Sequence, residues 1–216
     1  KKGDGSYASE KTYSYKVSEV KGNAGDGITY DDKEYTVKVK VSYDQASGTM
    51  KAELADKDQK LAFANSYDTE TGIDLEGTKS LEGRTLKDGE FTFEVKDKAG
   101  KVVATGSNKS DGSISFNNKL NYKLSDLEKA DGSYESEKTY KYTVNEVIPE
   151  GATAENNYTV NGVTYDNSIF TVKVIVSYDQ ATGIMSAAFA EDSQELIFDN
   201  TYDAKGSLTL EASKTL

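Results

Sequence analysis

An all-β fold built from repeated sandwich domains is what the sequence predicts, and three observations predict it. Apolar and polar residues alternate with period two in short runs rich in β-branched and aromatic side chains, as in Phe91-Thr92-Phe93-Glu94-Val95, the pattern of a strand with one buried face. Turn residues punctuate those runs: Lys98-Ala99-Gly100-Lys101, Ser110-Asp111-Gly112-Ser113 and Asp179-Gln180-Ala181-Thr182-Gly183 each supply the short polar or glycine positions that a reversal needs. The same order of strands and turns also occurs twice.

The repeat sets the domain plan. Asp4-Gly5-Ser6-Tyr7 recurs as Asp131-Gly132-Ser133-Tyr134, and Tyr13-Ser14-Tyr15-Lys16-Val17-Ser18-Glu19-Val20 as Tyr140-Lys141-Tyr142-Thr143-Val144-Asn145-Glu146-Val147, both at an offset of 127. Further on, Ser42-Tyr43-Asp44-Gln45 matches Ser177-Tyr178-Asp179-Gln180 and Phe63-Ala64-Asn65-Ser66-Tyr67 matches Phe198-Asp199-Asn200-Thr201-Tyr202, now at 135. The second copy therefore carries eight extra residues between Glu146 and Tyr165, read here as a longer surface loop and nothing more. Leu75-Glu76-Gly77-Thr78-Lys79-Ser80-Leu81 returns as Leu210-Glu211-Ala212-Ser213-Lys214-Thr215-Leu216. Residues 1–68 are thus expected to be the back half of one repeat, 69–203 a complete unit, and 204–216 the first strand of the next, all inside a longer protein.

Within the complete unit, strands are expected at Phe91–Val95, Thr139–Val147, Phe170–Tyr178, Ile184–Phe189 and Leu196–Tyr202, with at most one short helical turn near Leu124–Lys129. Short strands at this spacing predict immunoglobulin-like β-sandwich repeats in tandem.

Composition narrows the function. With 26 Lys and Arg against 37 Asp and Glu, the formal charge is -11, which repels nucleic acid and anionic lipid. No apolar run approaches a membrane span. The chain has no Cys and no His, which removes disulfides, thiolate nucleophiles, the usual triad base and the commonest metal ligand. No cofactor, metal or enzymatic turnover is expected. Acid clusters such as Asp26, Asp31, Asp32 and Glu34, or Asp68 to Asp74, lack the Asp-x-Asp-x-Asp-Gly calcium loop and are read as solvated loop charge.

The strand faces carry the most information. Tyr140, Tyr142, Val144 and Glu146 share one face, so a carboxyl arrives on an apolar side; Leu196, Phe198, Asn200 and Tyr202 place an amide the same way; Leu75, Gly77, Lys79 and Leu81 place a lysine. Leu208, Leu210, Ala212, Lys214 and Leu216 repeat that last pattern. Burying an amine, a carboxyl and an amide separately would cost several kcal/mol each. Together they form one polar constellation, either a buried ion pair hydrogen-bonded to the amide or a group that reacts.

The opening Thr78-Lys79-Ser80-Leu81-Glu82-Gly83-Arg84-Thr85-Leu86-Lys87-Asp88-Gly89-Glu90-Phe91-Thr92-Phe93, the Tyr-x-Tyr-x-Val-x-Glu strand and the closing Phe-x-Asn-x-Tyr resemble the isopeptide-linkage domain of backbone pilins and other Gram-positive cell-surface adhesins. The resemblance implies that Lys79 attacks the side-chain amide of Asn200, that ammonia leaves, and that Glu146 relays the protons. Glu19 and Asn65 are the equivalents in the first repeat, and Lys214 the equivalent lysine of the next. Burial favours the neutral amine and the protonated carboxyl acid that can polarise an amide.

What this implies is a structural stalk repeat of a secreted protein at the cell wall or surface, stabilised by a self-catalysed Lys–Asn isopeptide bond. The expected partners are neighbouring repeats of the same chain and, through other domains, a host receptor. The alternative is a ligand-binding adhesin module without a crosslink.

Overall fold

The computed structural model describes residues 1–22 and 27–215; the candidate acid Asp26 and the final Leu216 lie outside them. Residues 1–68 and 69–216 form separate compact units.

In the first unit, β1 (Glu10–Ser18), β2 (Ile28–Thr29), β3 (Glu34–Asp44), β4 (Thr49–Leu54) and β5 (Ser66–Tyr67) make a three-stranded sheet in the order β1-β3-β4 and a separate β2-β5 pair. Alternation is strong, but little lies above the apolar face: Tyr15 remains 53% exposed, whereas its repeat equivalent Tyr142 is 8% exposed.

The second unit has within itself the layer that the first lacks. Its strands are β6 (Glu70–Ile73), β7 (Thr78–Glu82), β8 (Thr92–Lys96), β9 (Val102–Asn108), β10 (Ile114–Phe116), β11 (Leu120–Lys123), β12 (Glu137–Glu146), β13 (Thr159–Val160), β14 (Val163–Thr164), β15 (Ile169–Asp179), β16 (Ile184–Phe189) and β17 (Ile197–Tyr202). A six-stranded sheet, β10-β9-β8-β12-β15-β16, faces a four-stranded one, β13-β14-β17-β7, while β11 and β6 form a pair of their own. The strands expected from the sequence appear within a residue or two of their places. So does a 3-10 turn at Leu124–Leu127, which buries both leucines.

Period-two alternation fills the space between the sheets. Val144, Val172, Val174 and Val176 from β12 and β15 are fully buried. Phe93 of β8 meets Phe198 of β17 with ring centroids 4.7 Å apart, and Phe170 of β15 stands edge-on to the same ring at 4.8 Å. Sheet packing of this kind is an all-β sandwich.

β7 and β17 lie side by side and parallel, Phe198 opposite Lys79 and Asn200 opposite Leu81. Immediately beyond β7, Gly83 (φ +94) runs so close to β17 that a Cβ there would sit 2.1 Å from the Tyr202 carbonyl oxygen. Only glycine permits that approach.

One expectation needs correction. The extra segment after Glu146 is not a plain loop: Ala152 is buried, a 3-10 turn spans Ala154–Asn156, and β13 pairs with β14, which in turn pairs with β17. Its Gly162 and its left-handed Asn157 and Asn161 permit the tight reversals. Residues 203–215 form no strand, and Leu208 and Leu210 are almost fully exposed. Strand pairing needs a neighbour, and among the described residues none pairs with this segment.

Candidate functional site: a buried lysine, glutamate and asparagine

Lys79, Glu146 and Asn200 come from three strands and meet in the core. Each is where alternation places it: Lys79 between the inward Leu75 and Leu81, Glu146 after Tyr142 and Val144, and Asn200 after Leu196 and Phe198. Their exposures are 3%, 2% and 1%. Lys79 Nζ donates to Glu146 Oε2 at 3.0 Å, and Asn200 Nδ2 donates to Glu146 Oε1 at 2.8 Å. One carboxyl thus holds the amine and the amide, one on each oxygen.

Aromatic rings wall the site. Lys79 Nζ lies 4.8 Å from the centre of the Phe91 ring, and Phe91 packs edge-on against Tyr165. The tilted Phe93–Phe198 pair closes another side. Removal from water pushes Lys79 below its ordinary value, against the pull of Glu146, and pushes Glu146 above its own, against the pull of Lys79. Both shifts favour a neutral amine beside a neutral acid.

A fourth residue was not foreseen. Asn200 Oδ1 accepts a hydrogen bond from the main-chain N–H of Asp166 at 2.7 Å. The amide oxygen therefore meets a backbone donor from the loop after β14, while the Glu146 carboxyl meets the amide nitrogen. Asp166 is itself tied down, its Oδ2 accepting from Asp199 N at 3.0 Å and its Oδ1 from Ser168 N at 2.9 Å. The available signal was the Tyr-Asp pair at 30–31 and 165–166, which recurs at the same offset as the asparagines.

The first unit reproduces this wiring. Asn65 Nδ2 donates to Glu19 Oε1 at 2.6 Å, Asp31 N donates to Asn65 Oδ1 at 2.9 Å, Ala64 N donates to Asp31 Oδ2 at 2.9 Å and Lys33 N donates to Asp31 Oδ1 at 3.0 Å. Glu19 Oε2, the counterpart of the oxygen that accepts from Lys79, is buried without a hydrogen-bond partner. Asp31 is thus not a solvated loop charge; the hydrogen bond from the Lys33 side chain, with those from Ala64 and Lys33 main chain, brings its carboxyl down to about 2. Lys214 lies in the exposed segment 203–215 and is not brought to either site.

Chemically, the site places a nucleophile, a proton carrier and an acyl group in one water-excluded pocket. Among the described residues no group of three acidic side chains is arranged to hold a metal.

A family model described as FctA, Spy0128-like isopeptide containing domain, matches residues 3–68 and 75–203. None of the curated proteins matches the chain.

Proposed function

The chain belongs to the family of Spy0128-like isopeptide containing domains, and from that premise we propose that Lys79 and Asn200 condense into an intramolecular amide that makes residues 75–203 a stretch-resistant stalk module. The observation that carries this reading is the Glu146 carboxyl, which holds Nζ on one oxygen and the amide Nδ2 on the other in a dry pocket.

The steps balance without any added reagent. Neutral Nζ attacks Cγ of Asn200 and forms the new C–N bond. As its surplus proton passes to Glu146 Oε2, the proton that the neutral acid carries on Oε1 passes to Nδ2, the Cγ–Nδ2 bond breaks and ammonia departs. Glu146 ends neutral, as it began, with its proton on the other oxygen. The event is a single self-catalysed turnover on the chain itself, which separates the module from an enzyme. It also uses no oxidant, which suits a chain with no Cys.

Mechanical function follows from the topology. β7 and β17 are parallel, so tension applied at the two ends of the module loads their hydrogen bonds together, in shear. A covalent Lys79–Asn200 bridge takes the load directly from one strand to the other and leaves the intervening residues outside the force path. Closing a loop of about 120 residues also restricts the unfolded chain, worth about 5 kcal/mol by loop entropy. Such a module suits a secreted protein that projects from the cell wall, with neighbouring repeats as its immediate partners and any host receptor bound through other domains.

Single-molecule pulling tests the mechanical claim. The bridged unit is expected to withstand stretching without releasing residues 80–199. Lys79→Ala should release them, adding roughly 400 Å of contour length at about 3.4 Å per residue. Full extension of the unchanged chain would refute the stalk reading.

A further inference from the structure

We propose that the main-chain N–H of Asp166 is the oxyanion donor for the condensation, clamped in place by the Asp166 carboxylate, and that Asp31 is built to do the same for Asn65. This rests on the Lys79–Asn200 reading and assigns a group that reading leaves out. Attack on Cγ moves negative charge onto Asn200 Oδ1. Neither Glu146 oxygen faces that atom; they hold Nζ and Nδ2. The Asp166 N–H is already 2.7 Å from it, the distance at which such donors act in acyl transfer.

The clamp explains why an aspartate stands there. Its Oδ2 accepts from the N–H of Asp199, the residue before Asn200, and its Oδ1 accepts from Ser168 N. One side chain therefore fixes the strand that carries the amide and the loop that carries the donor, so the N–H cannot drift from the oxygen it serves. Burial pushes this carboxyl up, but the hydrogen bonds from Ser168 and Asp199 outweigh it and keep the group ionised, as an acceptor in both contacts.

Recurrence separates this arrangement from an accident of one loop. In the first unit Asp31 contributes the same atoms: N–H to Asn65 Oδ1, Oδ2 to Ala64 N, Oδ1 to Lys33 N. Unlike the second unit, that loop lacks the eight-residue insertion, and position 33 is Lys where position 168 is Ser. The wiring survives both differences.

The test follows ammonia loss in time. The full chain is recovered in denaturant before the bond forms, diluted into buffer and sampled for intact mass, with near-ultraviolet circular dichroism as the folding control. D166P deletes the donor and is expected to slow bond formation about a hundredfold. D166A keeps the N–H but frees it and should slow the reaction roughly tenfold by the same principle. D166N keeps one of the two acceptors of the clamp and should react at a rate between those of D166A and the unchanged chain, with an unshifted pH profile. Ser80→Ala, which removes only the exposed Ser80 Oγ donation to Asp199 at the same strand junction, should leave the rate unchanged. If D166P does not fold, D166A decides. Wild-type rates for D166A, or a D166N pH profile shifted along the pH axis, would overturn the assignment. An unchanged chain that never loses ammonia would remove the condensation itself.

Discussion

Three polar side chains were legible in the sequence because each breaks an apolar alternation: Lys79 between Leu75 and Leu81, Glu146 after Val144, Asn200 after Phe198. A strand face reports direction, and a polar residue that points inward must meet others that do. Asp166 was not legible this way, since it works through its main chain and sits in a loop with no periodicity to violate. Burial of the triad also has a consequence for pH. With Lys79→Met the amine that draws Glu146 downward is gone, so desolvation holds Glu146 above its ordinary 4.5 in the folded state. A folded-state value above the unfolded one gives stability that is present below pH 4.5 and is lost as pH rises through the folded value. The Lys79→Met melting temperature should therefore fall between pH 4.5 and neutrality relative to a Lys79→Met/Glu146→Gln chain, by on the order of 5 °C. The double variant cancels the contributions of the other carboxylates. Parallel curves would mean that Glu146 does not titrate with a raised value.

At the level of elements, the long strands with strict alternation declared themselves, and the short ones did not. β12, β15 and β17 carry Val, Tyr and Phe on their buried face, and β16 adds Met185 and Ala187. By contrast β9 reads Val-Val-Ala-Thr-Gly-Ser-Asn, with Gly106 set tightly against the Phe116 ring and Asn108 buried to hold Phe91 N; its burial comes from tertiary packing that no local pattern announces. The eight extra residues after Glu146 looked like loop because Asn and Gly dominate them, yet those residues build β13 against β14. The first unit assembles its Glu19–Asn65–Asp31 wiring without them. Excising eight residues from the 149–161 stretch should accordingly lower stability modestly, by about 1–2 kcal/mol for the lost edge pairing and the uncovered Ala152, and leave the Asn200 site able to react. Loss of folding cooperativity, or a chain that folds but loses no ammonia, would show that the insertion shapes the site.

Across the molecule, the sequence told the repeat plan but not the pairing that gives it mechanical meaning. Parallel β7 and β17 are contributed by residues 78–82 and 197–202, a separation too long for any turn signal to report. On the proposed reading, their adjacency lets a Lys79–Asn200 bond clamp two parallel strands that share the load. The second unit has both sheets, a closed core and the full lysine, glutamate and asparagine set; the first has the glutamate, the asparagine and the aspartate clamp, with a buried carboxylate oxygen still open to a donor. Intact mass of the purified, fully denatured chain, followed by peptide mapping, tests the central claim most directly. The expected result is a deficit of one ammonia and a branched peptide joining Lys79 to Asn200, both abolished in a folded Glu146→Ala chain. A full calculated mass, with Lys79 and Asn200 on separate unmodified peptides, would contradict it and leave a buried ion pair in place of the bond.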